Sequence, residues 1–184
     1  MQRTWSDRWK RIVIELIPLL VVVACVVIDQ LTKKWTTELF EKNGRTTVID
    51  GFFYLTHTIN TGAAFGSLGD KPWAQTFFKI LTCISLVLFC LFYVYAFKHK
   101  YNWLKYSLAI VIAGTLGNFI DRIAISGVID FISLVFGSYS FYIFNLADAF
   151  LTVGVIMLII HLLFIDEGAL FKKKNGKEEV SDNQ

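Results

Sequence analysis

At 184 residues the chain is the length of a single domain. Hydrophobic residues make up 55% of it and charged residues only 18%, against about 25% in average soluble domains, and the shortfall sits in apolar runs long enough to cross a bilayer. The net charge of +3 is scattered between those runs, which speaks against a nucleic-acid-binding stripe, and three cysteines buried in apolar sequence speak against a disulfide framework or a metal site.

Residues 12–28 are apolar except for Glu15 and Pro18 and predict a first span that is not cleaved, because no small-residue processing pattern follows it. The segment of about residues 36–72 contains Thr46-Thr47-Val48-Ile49 and a second β-branched and aromatic run over residues 52–59. Asp50-Gly51 stands between them as a hairpin signal. Residues 73–97 predict a second span and 106–124 a third, which ends in the polar knot Asn118 to Arg122. Residues 125–144 are mostly apolar, with Gly127 and Gly137 as breaks, and are expected to lie in the membrane interface. Residues 147–165 predict a fourth span. The expected fold class is therefore all-α membrane, four transmembrane helices with a small extracytoplasmic β-sheet between helices 1 and 2. Residues 1–165 form the membrane domain, and 166–184 form a charged cytoplasmic tail whose end is disordered.

Charge placement orients this bundle. The N-terminal segment holds Arg3, Arg8, Lys10 and Arg11; the link between spans two and three holds Lys98, Lys100 and Lys105; the tail holds Lys172, Lys173, Lys174 and Lys177. Four spans put these segments on one side, and the positive-inside rule makes it cytoplasmic. The first outer segment also carries Lys33, Lys34, Lys42, Arg45 and Lys71, so the rule favours this orientation without settling it.

On that topology Asp29, Asp121, Asp130 and Asp148 all fall at the outer interface. Carboxylates at a membrane edge are costly, and they point to function. Each has a plainer explanation. Asp29 with Thr32 and Lys33 can end a helix among headgroups. Asp121-Arg122 can be an interfacial ion pair. Asn145 three residues before Asp148 is a helix cap with an acid in the first turn. Asn60 to Gly66 can be a tight turn, or a backbone surface that a peptide approaches closely. Asp130, flanked by apolar residues in Gly-Val-Ile-Asp-Phe-Ile, fits a solvated face least well.

Five blocks occur in order: Asp29-Gln30-Leu31-Thr32-Lys33, Asn60-Thr61-Gly62-Ala63-Ala64-Phe65-Gly66, Gly117-Asn118-Phe119-Ile120-Asp121-Arg122, Val128-Ile129-Asp130-Phe131 and Phe144-Asn145-Leu146-Ala147-Asp148. Together they resemble the lipoprotein signal peptidase (signal peptidase II) family over about residues 12–165. One departure is Tyr142, where family members often carry proline, which bears on loop stiffness. The resemblance implies a membrane aspartic endopeptidase of the bacterial cytoplasmic membrane, with its active site at the outer leaflet. Such an enzyme removes signal peptides from diacylglyceryl-modified prolipoproteins, cutting before the lipidated cysteine. It implies Asp130 and Asp148 as the catalytic pair. Asp121 competes for that role, but the adjacent Arg122 is expected to hold it ionised and occupied. Asp29, Lys33, Asn60, Gly62, Asn118, Asp121, Arg122 and Asn145 are expected to bind substrate or support the site. Two such carboxylates share a proton and titrate as a pair. The helix start at Asp148 favours its ionised form and desolvation opposes it.

No metal or organic cofactor is implied. The expected partners are the lipid-modified precursor and membrane lipids, with no nucleic acid, and the expected state is a monomer. A serine mechanism lacks a Gly-x-Ser-Gly motif and any serine suitably spaced from Lys or His. An ion-coupled transporter would step its acids through the bilayer instead of gathering them at one face. A non-catalytic envelope scaffold is the remaining rival.

Overall fold

The computed structural model describes residues 5–40, 44–62, 71 and 73–165, with backbone alone for 5–14. Ala63 to Gly66 of the second sequence block, Lys42, the side chains of the N-terminal basic cluster and the 166–184 tail lie outside the described residues.

Among the described residues four helices are long and apolar enough to cross a membrane. Helix α1 spans Trp5–Leu39, α2 Ala74–His99, α3 Asn102–Ile125 and α4 Leu146–Ile160, and α4 continues into a π-helical turn over His161–Ile165. Large apolar side chains such as Leu20, Val23, Ile80, Leu91 and Ile156 are exposed on the outside of the bundle, as hydrocarbon contact requires. Helix α3 packs against the other three helices and is the most buried of them.

The first helix overruns its expected end at residue 28 by three turns. No Gly or Pro interrupts residues 29–39, and Asp29, Lys33 and Thr36 recur at helical spacing on one face. That polar face turns inward, with all three residues 0–1% exposed, while Leu31, Trp35 and Leu39 face outward. The amphipathic pattern is inverted, because here the surroundings are apolar and the polar groups must find partners inside the bundle. Helix α3 also starts earlier than expected, so Lys105 belongs to it and not to the α2–α3 link. Its ammonium is buried and paired with Glu15 at 2.7 Å.

Close α3–α4 contact depends on small residues. A Cβ on Gly114 would stand 2.7 Å from the Leu151 backbone nitrogen, and one on Gly154 would stand 2.8 Å from that of Val111, so only glycine lets these backbones meet.

The expected hairpin forms β1 (Arg45–Ile49) and β2 (Phe53–Asn60). Phe52 N donates to Ile49 O at 3.1 Å, and Gly51 takes the left-handed conformation at the turn, with φ of 71°. Between α3 and α4, the stretch expected to lie in the interface adds strands to the sheet, beyond the two expected between helices 1 and 2. This stretch supplies β3 (Val128–Phe136) and β4 (Tyr139–Ser140), and the sheet runs β1-β2-β3-β4 with antiparallel neighbours. An apolar run bounded by Gly127 and Gly137 suits an interfacial segment and a strand equally by composition. Pairing with β2 makes it a strand of that sheet. The β2–β3 register sets Thr58 opposite Asp130, with an irregularity between Leu55 and Thr58, a feature that re-aims neighbouring side chains.

Candidate active site

One end of the bundle, under the sheet, holds a cavity of about 750 Å³. Four elements bring acids and amides to it, β2 with Asn60 at its end being the first. Asp130 comes from β3. That strand is launched by Ser126, which ends α3 in the left-handed conformation with φ of 53°, and Gly127 then passes against Ile59 and Asn60 of β2. Asp148 comes from the first turn of α4. Asn118 and Arg122 come from the last turns of α3.

The cap of α4 is a reciprocal one. Asn145 Oδ1 accepts from Asp148 N at 2.9 Å, and Asp148 Oδ2 accepts from Asn145 N at 3.2 Å, so the expected cap exists. It does more than end a helix, because Asn145 Nδ2 donates to Asp130 Oδ1 at 2.7 Å. One fully buried asparagine therefore holds both carboxylates. Each acid has a further donor: Asn118 Nδ2 reaches Asp148 Oδ1 at 2.7 Å, and Asn60 Nδ2 reaches Asp130 Oδ2 at 3.1 Å. Gly62 N donates to Asn60 Oδ1 at 2.9 Å, which points the Asn60 amide nitrogen at Asp130. Both acids and Tyr142 line the cavity.

Asp121 is ion-paired as expected, but with a different cation. Lys33 Nζ lies 2.8 Å from Asp121 Oδ2 and 2.8 Å from Asp29 Oδ2, and donates to Asn118 Oδ1 at 3.1 Å. Three acceptors use all three ammonium protons. Arg122, the sequence neighbour, instead donates to Asn118 O at 3.4 Å and sits 5.9 Å from the centre of the Phe78 ring. On a helix adjacent residues do not face each other, and that is why Arg122 turns into the cavity while Asp121 turns to α1.

The buried triad also anchors the two site-bearing elements. Asp29 Oδ1 accepts from Ala147 N at 2.9 Å, at the start of α4 beside Asp148. Asp121 Oδ2 accepts from Ile129 N at 3.1 Å, on β3 beside Asp130. Gln30 Nε2 donates to Asp121 Oδ1 at 3.0 Å and to Gly117 O at 3.1 Å. Sequence reasoning passed over Gln30. Its signal was position, one residue from Asp29 on a face otherwise occupied by bonded polar groups. Gly117 is obligatory here, since a Cβ would stand 2.6 Å from Asp29 Oδ2.

Burial, and next the charge of Asp148, push the Asp130 carboxyl up from 3.8 to about 7, against the opposing hydrogen bonds from Asn60 and Asn145. The same surroundings raise the Tyr142 phenol, burial first and then Asp148 and Asp130. A raised acid holds its proton more tightly folded than unfolded. Its contribution to stability is full below pH 3.8 and is lost as pH rises through about 7. The unfolding temperature of Asp130→Asn, which cannot titrate, should therefore gain on that of the unaltered protein between pH 4 and pH 8. Melting both in detergent across that range checks this; a constant difference at every pH would contradict it.

Among the described residues no group of three or more His, Cys, Asp or Glu side chains is arranged to hold a metal ion. The chemistry the cavity offers is that of two carboxylates, amide donors, one guanidinium and several hydroxyls.

The model of the family described as signal peptidase (SPase) II matches residues 21–164. A lipoprotein signal peptidase of Bacillus velezensis is 39% identical over 155 residues, covering 84% of this chain and 96% of that protein. One from Staphylococcus haemolyticus is 38% identical over 163 residues, covering 88% and 95%. The solved structure of a bacterial membrane enzyme, determined by the in meso method at 2.3 Å, superposes with a TM-score of 0.70 at 39% identity over 80% of this chain and 87% of that one. These matches, with four helices of spanning length, make this a multi-pass bacterial membrane protein. Similarity over nearly the whole length of those relatives, on the same fold, leaves one conclusion: the chain belongs to the signal peptidase II family.

Proposed function

We propose that this signal peptidase, which acts on prolipoproteins, is an aspartic endopeptidase that cuts before the lipidated cysteine of a diacylglyceryl-modified precursor, with Asp130 and Asp148 as its working pair. The observation that carries this is the shared asparagine: Asn145 donates to both carboxylates at the wall of one cavity, from its side chain to Asp130 and from its backbone N–H to Asp148. Asp130, with its proton held up to about pH 7, is the acid that polarises the scissile carbonyl and afterwards protonates the leaving amine. Asp148 accepts two hydrogen bonds in the first turn of a helix, the setting of a carboxylate, and takes the proton from the attacking water. Arg122, Asn60 and Gly62 face the same cavity and are assigned to the substrate backbone. Asp29, Lys33 and Asp121 lie behind it and hold α4 and β3 in place. The test is conversion of a diacylglyceryl-modified precursor by the purified protein in detergent with no ion gradient. The peptidase converts it; an ion-coupled transporter or a scaffold leaves it intact.

The site is placed at the outer leaflet with both termini cytoplasmic, supported by the basic residues of the N-terminal segment, the α2–α3 connection and the tail. In a background with Cys25, Cys83 and Cys90 replaced, a cysteine introduced by Ser181→Cys should resist a membrane-impermeant thiol reagent in intact cells and react once they are opened. Efficient labelling in intact cells would reverse the orientation.

A further inference from the structure

Away from the sheet, the cavity continues between α2, α3 and α4, and its walls there include Leu81, Phe89, Leu151 and Val155. Four hydroxyls interrupt this apolar lining: Thr82 and Ser85 on α2, Thr115 on α3 and Thr152 on α4. Each donates its hydrogen to the carbonyl four residues earlier in its own helix, at 2.7 Å to Phe78 O, 2.9 Å to Leu81 O, 2.7 Å to Val111 O and 2.8 Å to Asp148 O respectively. Such back-bonding by itself is the ordinary way a helix accommodates Ser or Thr. It does not explain why all four line one cavity.

Their depths agree. The Arg122 guanidinium reaches the Phe78 ring, and depths on α3 and α2 are counted from these two residues. Thr115 is seven residues further from the sheet than Arg122, and Ser85 seven further than Phe78, so both lie about 10 Å deeper. Thr82 lies about 6 Å deeper than Phe78, and Thr152 about 6 Å deeper than Asp148. With its hydrogen committed to its own helix, each hydroxyl offers the cavity only lone pairs. An acyl chain has no use for acceptors. A peptide drawn out of helical form inside a membrane does, since each N–H it frees must find a partner.

We propose that Thr82, Ser85, Thr115 and Thr152 form a belt of hydrogen-bond acceptors that receives backbone N–H groups of the signal segment where it unwinds to reach the two carboxylates. This rests on the peptidase assignment above. The belt makes cleavage possible without dragging the unwound segment into water, and it is indifferent to side-chain identity because it reads only backbone.

The test pairs the protein with lipidated precursor peptides in which single amides before the scissile bond are replaced by esters, which removes one N–H at a time. With the unaltered enzyme, one or more of these replacements should lower kcat/KM about three- to ten-fold, the worth of a neutral hydrogen bond. Thr152→Val, isosteric but without the hydroxyl, should lower kcat/KM on the all-amide peptide by a similar factor and show no further loss with the ester at the position Thr152 serves. Thr152→Ser, which restores the hydroxyl, should recover most of the activity lost in Thr152→Val and should again show the loss at that ester position. Thr82→Val and Thr115→Val repeat the cycle at the other positions, with thermal unfolding confirming that each variant is folded. Losses that multiply at every ester position, or hydroxyl removals that act equally on all peptides, overturn the belt and assign the hydroxyls to bound water or to packing. An unaltered enzyme that does not cut the all-amide peptide overturns the peptidase assignment instead.

Discussion

Asp130→Asn and Asp148→Asn each reduce turnover of a lipidated precursor by about 10²–10⁴-fold, the usual loss when proton transfer is removed, while the protein stays folded. Asparagine keeps the shape of aspartate and accepts at its one oxygen, so one of the two N–H donors to each acid keeps its acceptor and the other loses it. It can neither take the proton of water nor hold an acidic one. Either change removes half of a device that works only as a pair, so the double variant should be little worse than either single one. At Asp130 the change also relieves the charge pressed on it by Asp148, and stability near neutral pH should rise. Purified variants are assayed for conversion with unfolding measured in parallel. Near-normal turnover by either one would remove that residue from the mechanism.

Lys33→Met is expected to destabilise the protein by about 3–5 kcal/mol, the usual consequence of removing one member of a buried ionic cluster. Lys33 is 1% exposed and is the cation 2.8 Å from both Asp29 and Asp121, themselves 1% and 4% exposed. Methionine fills much of the same volume but leaves two buried carboxylates facing each other with no positive charge between them. The backbone N–H groups of Ala147 and Ile129 still bind those acids but cannot neutralise them. Activity should fall with stability, because the same acids hold α4 next to Asp148 and β3 next to Asp130. Adding Asp121→Asn to Lys33→Met should recover part of the lost stability by removing one of the stranded charges. An unfolding temperature for Lys33→Met equal to that of the unaltered protein would show that the cluster is not ionised as drawn.

The inverted face of α1 shows why this cluster was only half visible beforehand. Asp29, Lys33 and Thr36 stand at helical spacing, and a polar stripe on a helix normally means water. By sequence the span ends instead at residue 28, where the apolar run stops. In an apolar surrounding the same stripe marks the interior, and the helix runs on to Leu39. Asp121 and Arg122 show a second form of the difficulty. Adjacency in sequence suggested a pair, while helical geometry sends their side chains to different neighbours.

The sequence by itself determined that the chain spans a membrane four times, that β1 and β2 form a hairpin at Asp50-Gly51, and which carboxylates and amides lie near one end of the spans. Those properties are local. A span follows from about 20 apolar residues, a tight turn from a few, and the end of a span from where its charges begin. The tertiary structure alone decided that β3 joins the sheet, that Lys33 and not Arg122 answers Asp121, and that Asn145 serves Asp130 as well as its own helix. Each of those pairings joins separate elements: Lys33 to Asp121 across α1 and α3, Asn145 to Asp130 across α4 and β3. They depend on how closely glycines 114, 117 and 154 let the helices approach, and on a strand register set by a partner about 70 residues away in sequence. A buried charge or amide takes the partner that packing delivers, because inside an apolar bundle leaving one unpaired is costly.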